Sequence, residues 1–133
     1  MRLILSGGGT GGHVYPAIAI ANKIKEYHPD AEILFVGTRA GIEAEIVPKY
    51  GYKIEYIDVQ GFRRKIDFDN VKRLIKFLKS LRDSKRIIKK FKPDLVIGTG
   101  GYVSGSVVLE ASKMGIKSCI HEQNSFPGMT NKM

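Results

Sequence analysis

Short apolar runs alternate along the chain with stretches in which apolar residues recur every three or four positions. The runs predict buried strands, and the three-to-four-residue recurrence predicts amphipathic helices. The predicted strands are Leu3–Leu5, Glu32–Val36, Lys53–Ile57, Leu95–Ile97 and Lys117–Ile120. The predicted helices are about Val14–Tyr27, Ile42–Tyr50, Phe68–Phe91 and Ser106–Met114. This alternation predicts an α/β fold with a doubly wound, parallel, Rossmann-like sheet.

Two glycine-rich segments each join a predicted strand to the helix that follows it. The first runs from Gly7 to His13, and the second from Gly98 to Gly105. Backbone N–H groups and the positive end of a helix favour an anion at such a turn. The carboxyl ends of parallel strands share one edge of the sheet, so we expect both segments and His121–Asn124 to form one site. The sequence therefore predicts a phosphate or diphosphate site.

The first glycine segment does not fit the two common nucleotide-binding patterns. Gly7, Gly9 and Gly12 match the dinucleotide spacing, but the second strand ends in Gly37-Thr38-Arg39, with no carboxylate for a ribose. An ATP-binding loop needs Lys and then Ser or Thr after its last glycine, whereas this chain has His13-Val14. What remains is an anion site with a histidine at the start of a helix.

Length and composition indicate one globular domain, and the distribution of charge indicates the kind of partner. The 133 residues are 43% hydrophobic and 26% charged, as expected for one globular domain. Of the net charge of +9, the segment Arg63–Lys92 carries 13 Lys/Arg against 3 Asp/Glu, and the rest of the chain is nearly balanced. This single basic patch predicts an anionic surface as partner. The lone Cys119 excludes an internal disulfide, and we expect it to pack inertly in its apolar strand.

The long predicted helix Phe68–Phe91 carries two apolar stripes. The core stripe consists of Phe77, Leu81, Ser84, Ile88 and Phe91. The second stripe is Val71, Leu74, Ile75 and Leu78, interleaved with Lys72, Arg73, Lys76, Lys79 and Arg82. An apolar stripe rimmed by cations favours contact with an anionic membrane surface, and the alternative is a solvated basic face. No nucleic-acid motif accompanies the charge, so we expect no nucleic acid as partner.

Metal and cofactor sites are not expected. The three histidines are scattered among separate loops, which does not favour a metal site. The Asp67-Phe68-Asp69 triplet precedes the long helix, where helix capping explains it.

The residues Gly8–His13, Gly100–Gly105 and His121–Asn124 resemble, in order and spacing, the MurG family of bacterial N-acetylglucosaminyltransferases. The resemblance covers the whole chain but only the amino-terminal half of that family. It implies a GT-B glycosyltransferase, in which residues 1–133 are the acceptor-binding domain, truncated before an absent donor-binding carboxy-terminal domain. The implied reaction is inverting and metal-independent transfer of N-acetylglucosamine from UDP-GlcNAc to lipid I (undecaprenyl-diphosphate-MurNAc-pentapeptide), in peptidoglycan synthesis at the cytoplasmic face of the plasma membrane. We expect the fragment alone to be inactive.

The resemblance also implies residue roles. The positions that match the family's donor contacts are Thr10, Gly11, Gly12 and Asn124. His13 is the expected general base, and its alternative role is to orient the acceptor or its phosphate. Glu122 is the other candidate base. His121 is expected to be structural, because neighbours on a strand point to opposite faces. The predicted contacts with the acceptor diphosphate are Gly8, Gly9, Gly100, Gly101, Tyr102, Ser104 and Gly105. Ser106 stands where the family often has proline, and we expect it to cap its helix.

Two other functions remain open at this point. The chain could be the acceptor-binding, membrane-recruiting subunit of a two-chain glycosyltransferase. It could also be a non-enzymatic module that binds a phosphorylated ligand.

Overall fold

Strands and helices alternate through residues 1–59 and 68–121, the part of the chain that the computed structural model describes (the side chains of 68–70 excepted). The strands are β1 (Arg2–Gly7), β2 (Glu32–Gly37), β3 (Lys53–Tyr56), β4 (Leu95–Gly100) and β5 (Lys117–Ile120). The helices are α1 (Gly11–Tyr27), α2 (Glu43–Lys49), α3 (Phe68–Phe91) and α4 (Tyr102–Lys113). Every predicted strand and helix is present.

The strands form one parallel sheet in the order β3-β2-β1-β4-β5. Strand β1 lies at the centre, and Leu3 pairs with Ile33 of β2 on one side and with Leu95 of β4 on the other. The predicted doubly wound, Rossmann-like sheet is confirmed. All carboxyl ends of the strands point to the same edge, where ligands bind in sheets of this type.

Each face of the sheet is covered by two helices. Alternate strand residues point to opposite faces, so Leu3 and Leu5 pack in one core and Ile4 in the other. The first core contains residues of α1 and α2, including Ala17, Ile18 and Val47. The second core contains residues of α3 and α4. Burial on both faces explains why the strands are almost continuously apolar.

Two helices begin earlier than the sequence pattern predicts. Helix α1 starts at Gly11 instead of Val14, and α4 starts at Tyr102 instead of Ser106. Glycine is a poor helix former, but packing against the sheet outweighs that preference in a first turn. The second glycine segment is consequently not a loop: β4 extends to Gly100, and only Gly101 separates it from α4.

Helix α3 packs against α4 through small polar residues. Ser106 is fully buried inside α4, and its Oγ lies 2.8 Å from the Oγ of Ser80 on α3. The prediction that Ser106 caps a helix is therefore wrong, because α4 starts four residues before it. Ser84 and Ile88 of the predicted core stripe are buried, whereas Phe77, Leu81 and Phe91 are half-buried.

Strand β5 lies at one edge of the sheet, and all four of its residues are exposed in this structure. Cys119 is one of them, so the prediction of inert packing is wrong. The apolar pattern around Cys119 indicates a strand, but it does not show whether anything covers that strand.

Helices within the described ranges lack the combination of length and apolar character needed to cross a bilayer. The same ranges contain no group of three or more His, Cys, Asp or Glu side chains placed to hold a metal ion.

Candidate active site

The β1–α1 turn and the β4–α4 turn are in direct backbone contact at the carboxyl edge of the sheet. The N–H of Gly8 donates to the carbonyl of Gly100 at 3.2 Å. Gly101 has φ +89°, and a Cβ on it would lie 2.5 Å from the carbonyl oxygen of Gly8. Only glycine combines this backbone conformation with so close an approach. The structure thus brings the two predicted glycine turns together.

His13 is fixed between these two turns. Its Nδ1 lies 2.9 Å from the carbonyl oxygen of Gly8 and 3.4 Å from Oγ1 of Thr10. Its own carbonyl accepts a hydrogen bond from Oγ1 of Thr99 at 2.6 Å. The ring packs over Gly100, where an added Cβ would lie 2.8 Å from Nε2. Backbone and side chain of His13 are therefore both held.

The hydrogen bond to Gly8 determines the tautomer that we assign to His13. A carbonyl oxygen can only accept, so Nδ1 carries the hydrogen in this contact. In the neutral ring, Nε2 is then unprotonated and can accept a proton from a ligand. A general base at this position needs that arrangement.

A cleft of about 260 Å³ opens between the turns. It is lined by Gly8, Gly9, Thr10, His13, Thr38, Val59, Gly101, Tyr102 and Val103. Thr10 and Gly101, the N-cap residues immediately before α1 and α4, both lie in this lining, so the positive ends of two helices face it. The cleft is smaller than a typical complete small-molecule site, as one side of a larger site would be.

A larger groove of about 600 Å³ lies at the opposite, amino-terminal edge of the sheet. Charges of both signs line it, among them Arg2, Glu32, Lys53 and Glu55. It contains neither of the glycine turns that meet at the carboxyl edge. We therefore place the candidate active site in the smaller cleft.

The predicted diphosphate contacts divide into two groups. Gly8, Gly9, Gly101 and Tyr102 line the cleft. Gly100, Ser104 and Gly105 do not line it, and all three are buried. Gly100 is the last residue of β4 and lies against the ring of His13. Ser104 and Gly105 lie inside α4, and Gly98 leaves room for the Ser104 hydroxyl. Their position follows from the early start of α4, which turns them towards the sheet.

The N–H groups of the first glycine turn already have acceptors inside the protein. Gly8 donates to Gly100, and Gly9 donates to the carboxylate of Glu43 at 3.2 Å. In this conformation, anion binding at the cleft would depend on the starts of α1 and α4. Gly11 and Gly12 lie in the first turn of α1, but unlike their neighbours Thr10 and His13 they do not line the cleft.

The predicted residues Glu122 and Asn124 lie outside the described residues. His121 is exposed, and its N–H donates to the carbonyl of Gly98 at 2.8 Å, which continues the pairing of β5 with β4.

Glu43 is the site residue that the sequence interpretation missed. Its side chain is 1% exposed, although it carries a carboxylate. Besides the N–H of Gly9, it accepts hydrogen bonds from the N–H and Oγ1 of Thr38, at 2.9 and 3.2 Å. A Cβ on Gly8, Gly37 or Gly41 would overlap this carboxylate. The signal in the sequence was the pair of glycines around Thr38, which the interpretation did not connect with the first glycine turn.

The second apolar stripe of α3 is exposed, as a contact surface requires. Val71, Leu74, Ile75 and Leu78 are 47–62% exposed. The spacing of these residues places them on one side of the helix. The cations Lys72, Lys79 and Arg82 beside them are exposed, and Arg73 and Lys76 are half-buried. We call these nine residues the α3 patch.

A parallel sheet with this order, two glycine turns in contact at its carboxyl edge and a histidine at the first helix define a Rossmann-like domain of the GT-B glycosyltransferase type. The family model described as "Glycosyltransferase family 28 N-terminal domain" matches residues 3–133. The chain belongs to this family.

Individual relatives agree with this assignment. The chain is 69% identical over 133 residues to the UDP-N-acetylglucosamine--N-acetylmuramyl-(pentapeptide) pyrophosphoryl-undecaprenol N-acetylglucosamine transferase of Clostridioides difficile (strain 630), covering 100% of this chain and 32% of the relative. It is 62% identical to the protein of the same name from Alkaliphilus oremlandii (strain OhILAs), covering 100% of this chain and 36% of that protein. The chain thus spans about a third of the length of these relatives.

Solved structures show the same relationship. The crystal structure of Acinetobacter baumannii MurG superimposes with a TM-score of 0.84 at 34% identity, over 98% of this chain and 38% of that one. UDP-GlcNAc 2-epimerase from Neisseria meningitidis reaches a TM-score of 0.62 at 13% identity, over 90% of this chain and 32% of that one, which shows a shared fold only. The resemblance to the MurG family is confirmed.

Proposed function

We propose that this chain is the acceptor-binding, amino-terminal part of an enzyme that transfers N-acetylglucosamine from UDP-GlcNAc to lipid I in peptidoglycan synthesis. The names of its relatives support this reaction class. The observation that carries the proposal is the 2.9 Å hydrogen bond between Nδ1 of His13 and the carbonyl of Gly8. It leaves Nε2 as a proton acceptor beside the cleft.

In the proposed step, Nε2 of His13 removes the proton from the acceptor sugar hydroxyl. The hydroxyl oxygen forms a bond to the anomeric carbon of N-acetylglucosamine, while the bond from that carbon to the β-phosphate oxygen of UDP breaks. UDP leaves from the opposite face, so the configuration inverts. General-base catalysis of this kind contributes about 10²–10⁴-fold to a rate. Glu122 remains the alternative base, and the step requires no metal ion or other cofactor.

The two helix starts supply the proposed anion contacts. Thr10, Gly11 and Gly12 at α1, together with Asn124, are the proposed contacts with UDP-GlcNAc. Gly101 and Tyr102 at α4 are proposed to contact the acceptor diphosphate, because the positive end of α4 faces the cleft. Each helix start is therefore assigned to one of the two substrates, both of which carry a diphosphate.

The α3 patch is the proposed contact with the cytoplasmic face of the plasma membrane. Its four exposed apolar side chains can enter the interface, and each Lys or Arg near anionic lipid contributes about 1 kcal/mol. The acceptor carries a lipid chain, so this contact would bring the cleft to its substrate.

The first experiment measures transfer of labelled N-acetylglucosamine to lipid I by the full protein that contains this chain. We expect His13→Ala to lower kcat by about 10²–10⁴-fold. His28→Ala is the matched control, because His28 is exposed at the far end of α1. Retention of more than about a tenth of kcat by a folded His13→Ala protein would contradict the role as base. Binding of lipid I without any transfer by the wild type would favour the non-enzymatic module.

The second experiment measures binding to vesicles that contain anionic lipid. The double substitution Ile75→Glu and Leu78→Glu should weaken binding by at least about tenfold, because it replaces two apolar contacts with charges repelled by the lipid. Tyr27→Glu is the control, since Tyr27 is an exposed apolar residue on α1, outside the α3 patch. Equal binding of the double variant and the wild type would exclude the α3 patch as the membrane contact.

A further inference from the structure

Glu43 is a buried carboxylate that has no proposed contact with a substrate and no ion pair within the described residues. Its side chain is only 1% exposed. Burial of an unpaired carboxylate is costly unless hydrogen bonds satisfy its oxygens. All its observed hydrogen-bond donors belong to two turns, the β1–α1 turn and the turn after β2.

The surroundings of Glu43 are built around its carboxylate. Gly8 comes from the β1–α1 turn, and Gly37 and Gly41 come from the segment between β2 and α2; a Cβ on any of them would overlap Glu43. Gly8 and Gly41 have no positive φ, so close approach explains these glycines and backbone conformation does not. The carboxylate consequently packs directly against the first glycine turn.

We propose that Glu43 is a positioning residue that holds the β1–α1 turn so that the Gly8 carbonyl fixes the ring of His13. Oε1 of Glu43 accepts from the N–H of Gly9 at 3.2 Å, and the preceding carbonyl, that of Gly8, accepts from Nδ1 of His13 at 2.9 Å. Both hydrogen bonds are made by the same peptide unit, the one that joins Gly8 to Gly9. Glu43 therefore acts on the reaction through Gly8 and does not touch a substrate.

This inference rests on the proposed function, because the catalytic effect of Glu43 passes through His13 as the base. The hydrogen bonds also make a prediction that does not depend on catalysis. The amide hydrogens of Gly9 and Thr38 should exchange slowly with solvent, although Gly9 is exposed. The ¹⁵N chemical shifts of His13 should report the tautomer with hydrogen on Nδ1.

The test substitutes Glu43→Gln in the full protein that contains this chain. The amide keeps the size of the side chain but places an NH₂ group against an N–H donor, so at least one donor loses its acceptor. We expect kcat to fall by about 10–100-fold with KM for UDP-GlcNAc changed less than about threefold, because a base displaced by a fraction of an ångström impairs the chemical step. Exchange at Gly9 should accelerate, and the His13 tautomers should become mixed.

Two further variants make the result decisive. Glu45→Gln is the matched control, since Glu45 lies two residues along the same helix with its side chain 75% exposed, and it should behave as the wild type. Thr38→Val removes only the hydroxyl that donates to Glu43, so it should lower kcat by a few-fold and accelerate exchange at Gly9. If Glu43→Gln does not fold, Thr38→Val decides the question.

The inference is overturned if folded Glu43→Gln, or Thr38→Val in its place, retains wild-type kcat, Gly9 exchange and His13 tautomer. A loss of kcat without a change at Gly9 and His13 also overturns it. If the wild type transfers no sugar, the proposed function fails, and the exchange and tautomer measurements still decide whether Glu43 positions the turn.

Discussion

The two edges of the sheet contain backbone turns with positive φ, but these turns have different surroundings. At the amino-terminal edge, Gly51, Lys92 and Gly115 each follow a helix, with φ between +56° and +84°. A Cβ on Gly51 or Gly115 would meet nothing within 4 Å, and a lysine already occupies position 92. At the carboxyl edge, Gly9 also combines positive φ with open space, but a Cβ on Gly100 would overlap His13 and one on Gly101 would press on the backbone of Gly8.

The comparison separates two uses of glycine. At the amino-terminal edge, positive φ ends a helix, and a side chain costs only the strain of that conformation. At the carboxyl edge, the absent Cβ lets two turns and a histidine come together. Positive φ by itself therefore does not mark the site in this fold. Close backbone approach does.

The largest effect on stability should come from Gly101→Ala. Alanine at φ +89° is strained, and its Cβ would press on the Gly8 carbonyl, which belongs to the backbone and cannot rotate away. We expect the free energy of unfolding to fall by about 3 kcal/mol or more. Gly115→Ala is the control, because it has φ +75° and open space, and should cost about 1 kcal/mol. If urea unfolding shows that Gly101→Ala and Gly115→Ala lose the same free energy of unfolding, the proposed distinction between the two edges is contradicted.

Gly100→Ala should affect activity more than stability. Its Cβ would overlap the ring of His13, a side chain that can rotate aside at the expense of its hydrogen bond to Gly8. We expect kcat for sugar transfer to fall by about 10²-fold, as for a base moved from its position. Stability should fall by about 1–3 kcal/mol, less than for Gly101→Ala. Wild-type kcat in this variant would show that the ring position is not required.

The smallest effect, with opposite sign, should come from Lys92→Gly. Lys92 adopts φ +56°, a conformation that costs a non-glycine residue about 1 kcal/mol. Glycine avoids this cost, but it loses more backbone entropy on folding, so the net gain is only part of that amount. We expect the free energy of unfolding to be about 0.5 kcal/mol higher than that of the wild type. Destabilisation measured in urea would indicate that the lysine side chain contributes a contact at this edge.

Much of the fold could be predicted because its signals are local. Apolar runs such as Leu3–Leu5 indicate strands whatever their partners are, and strand–helix alternation then favours a parallel sheet. The starts of α1 and α4 could not be predicted in the same way. The glycines at these starts have a low helix propensity. Packing of the helices on the sheet outweighs that propensity, and packing cannot be read from local sequence.

The candidate site likewise contains features that the sequence predicts and features that it does not. His13, Thr10 and Tyr102 were predicted to share one edge because motifs after parallel strands converge there, and the structure places all three at the cleft. Ser104 was misplaced because the helix start was misplaced. Glu43 was missed because its hydrogen bond with Gly9 joins residues 34 positions apart, and nothing in the sequence links the two turns that these residues occupy. Glycines that make room for a buried side chain and glycines that bind a ligand look alike in a sequence.

The central claim is that one diphosphate-bearing acceptor binds in the cleft between the two glycine turns, with its diphosphate at the start of α4. We would titrate the protein, labelled with ¹⁵N at glycine and tyrosine, with a water-soluble, short-chain analogue of lipid I and follow the amide resonances. The account predicts that Gly9, Gly101 and Tyr102, which line the cleft, shift along a single binding curve, while Gly51 and Gly115 at the other edge do not move. Shifts at one turn only, two separate binding curves, or shifts confined to the amino-terminal edge would contradict it.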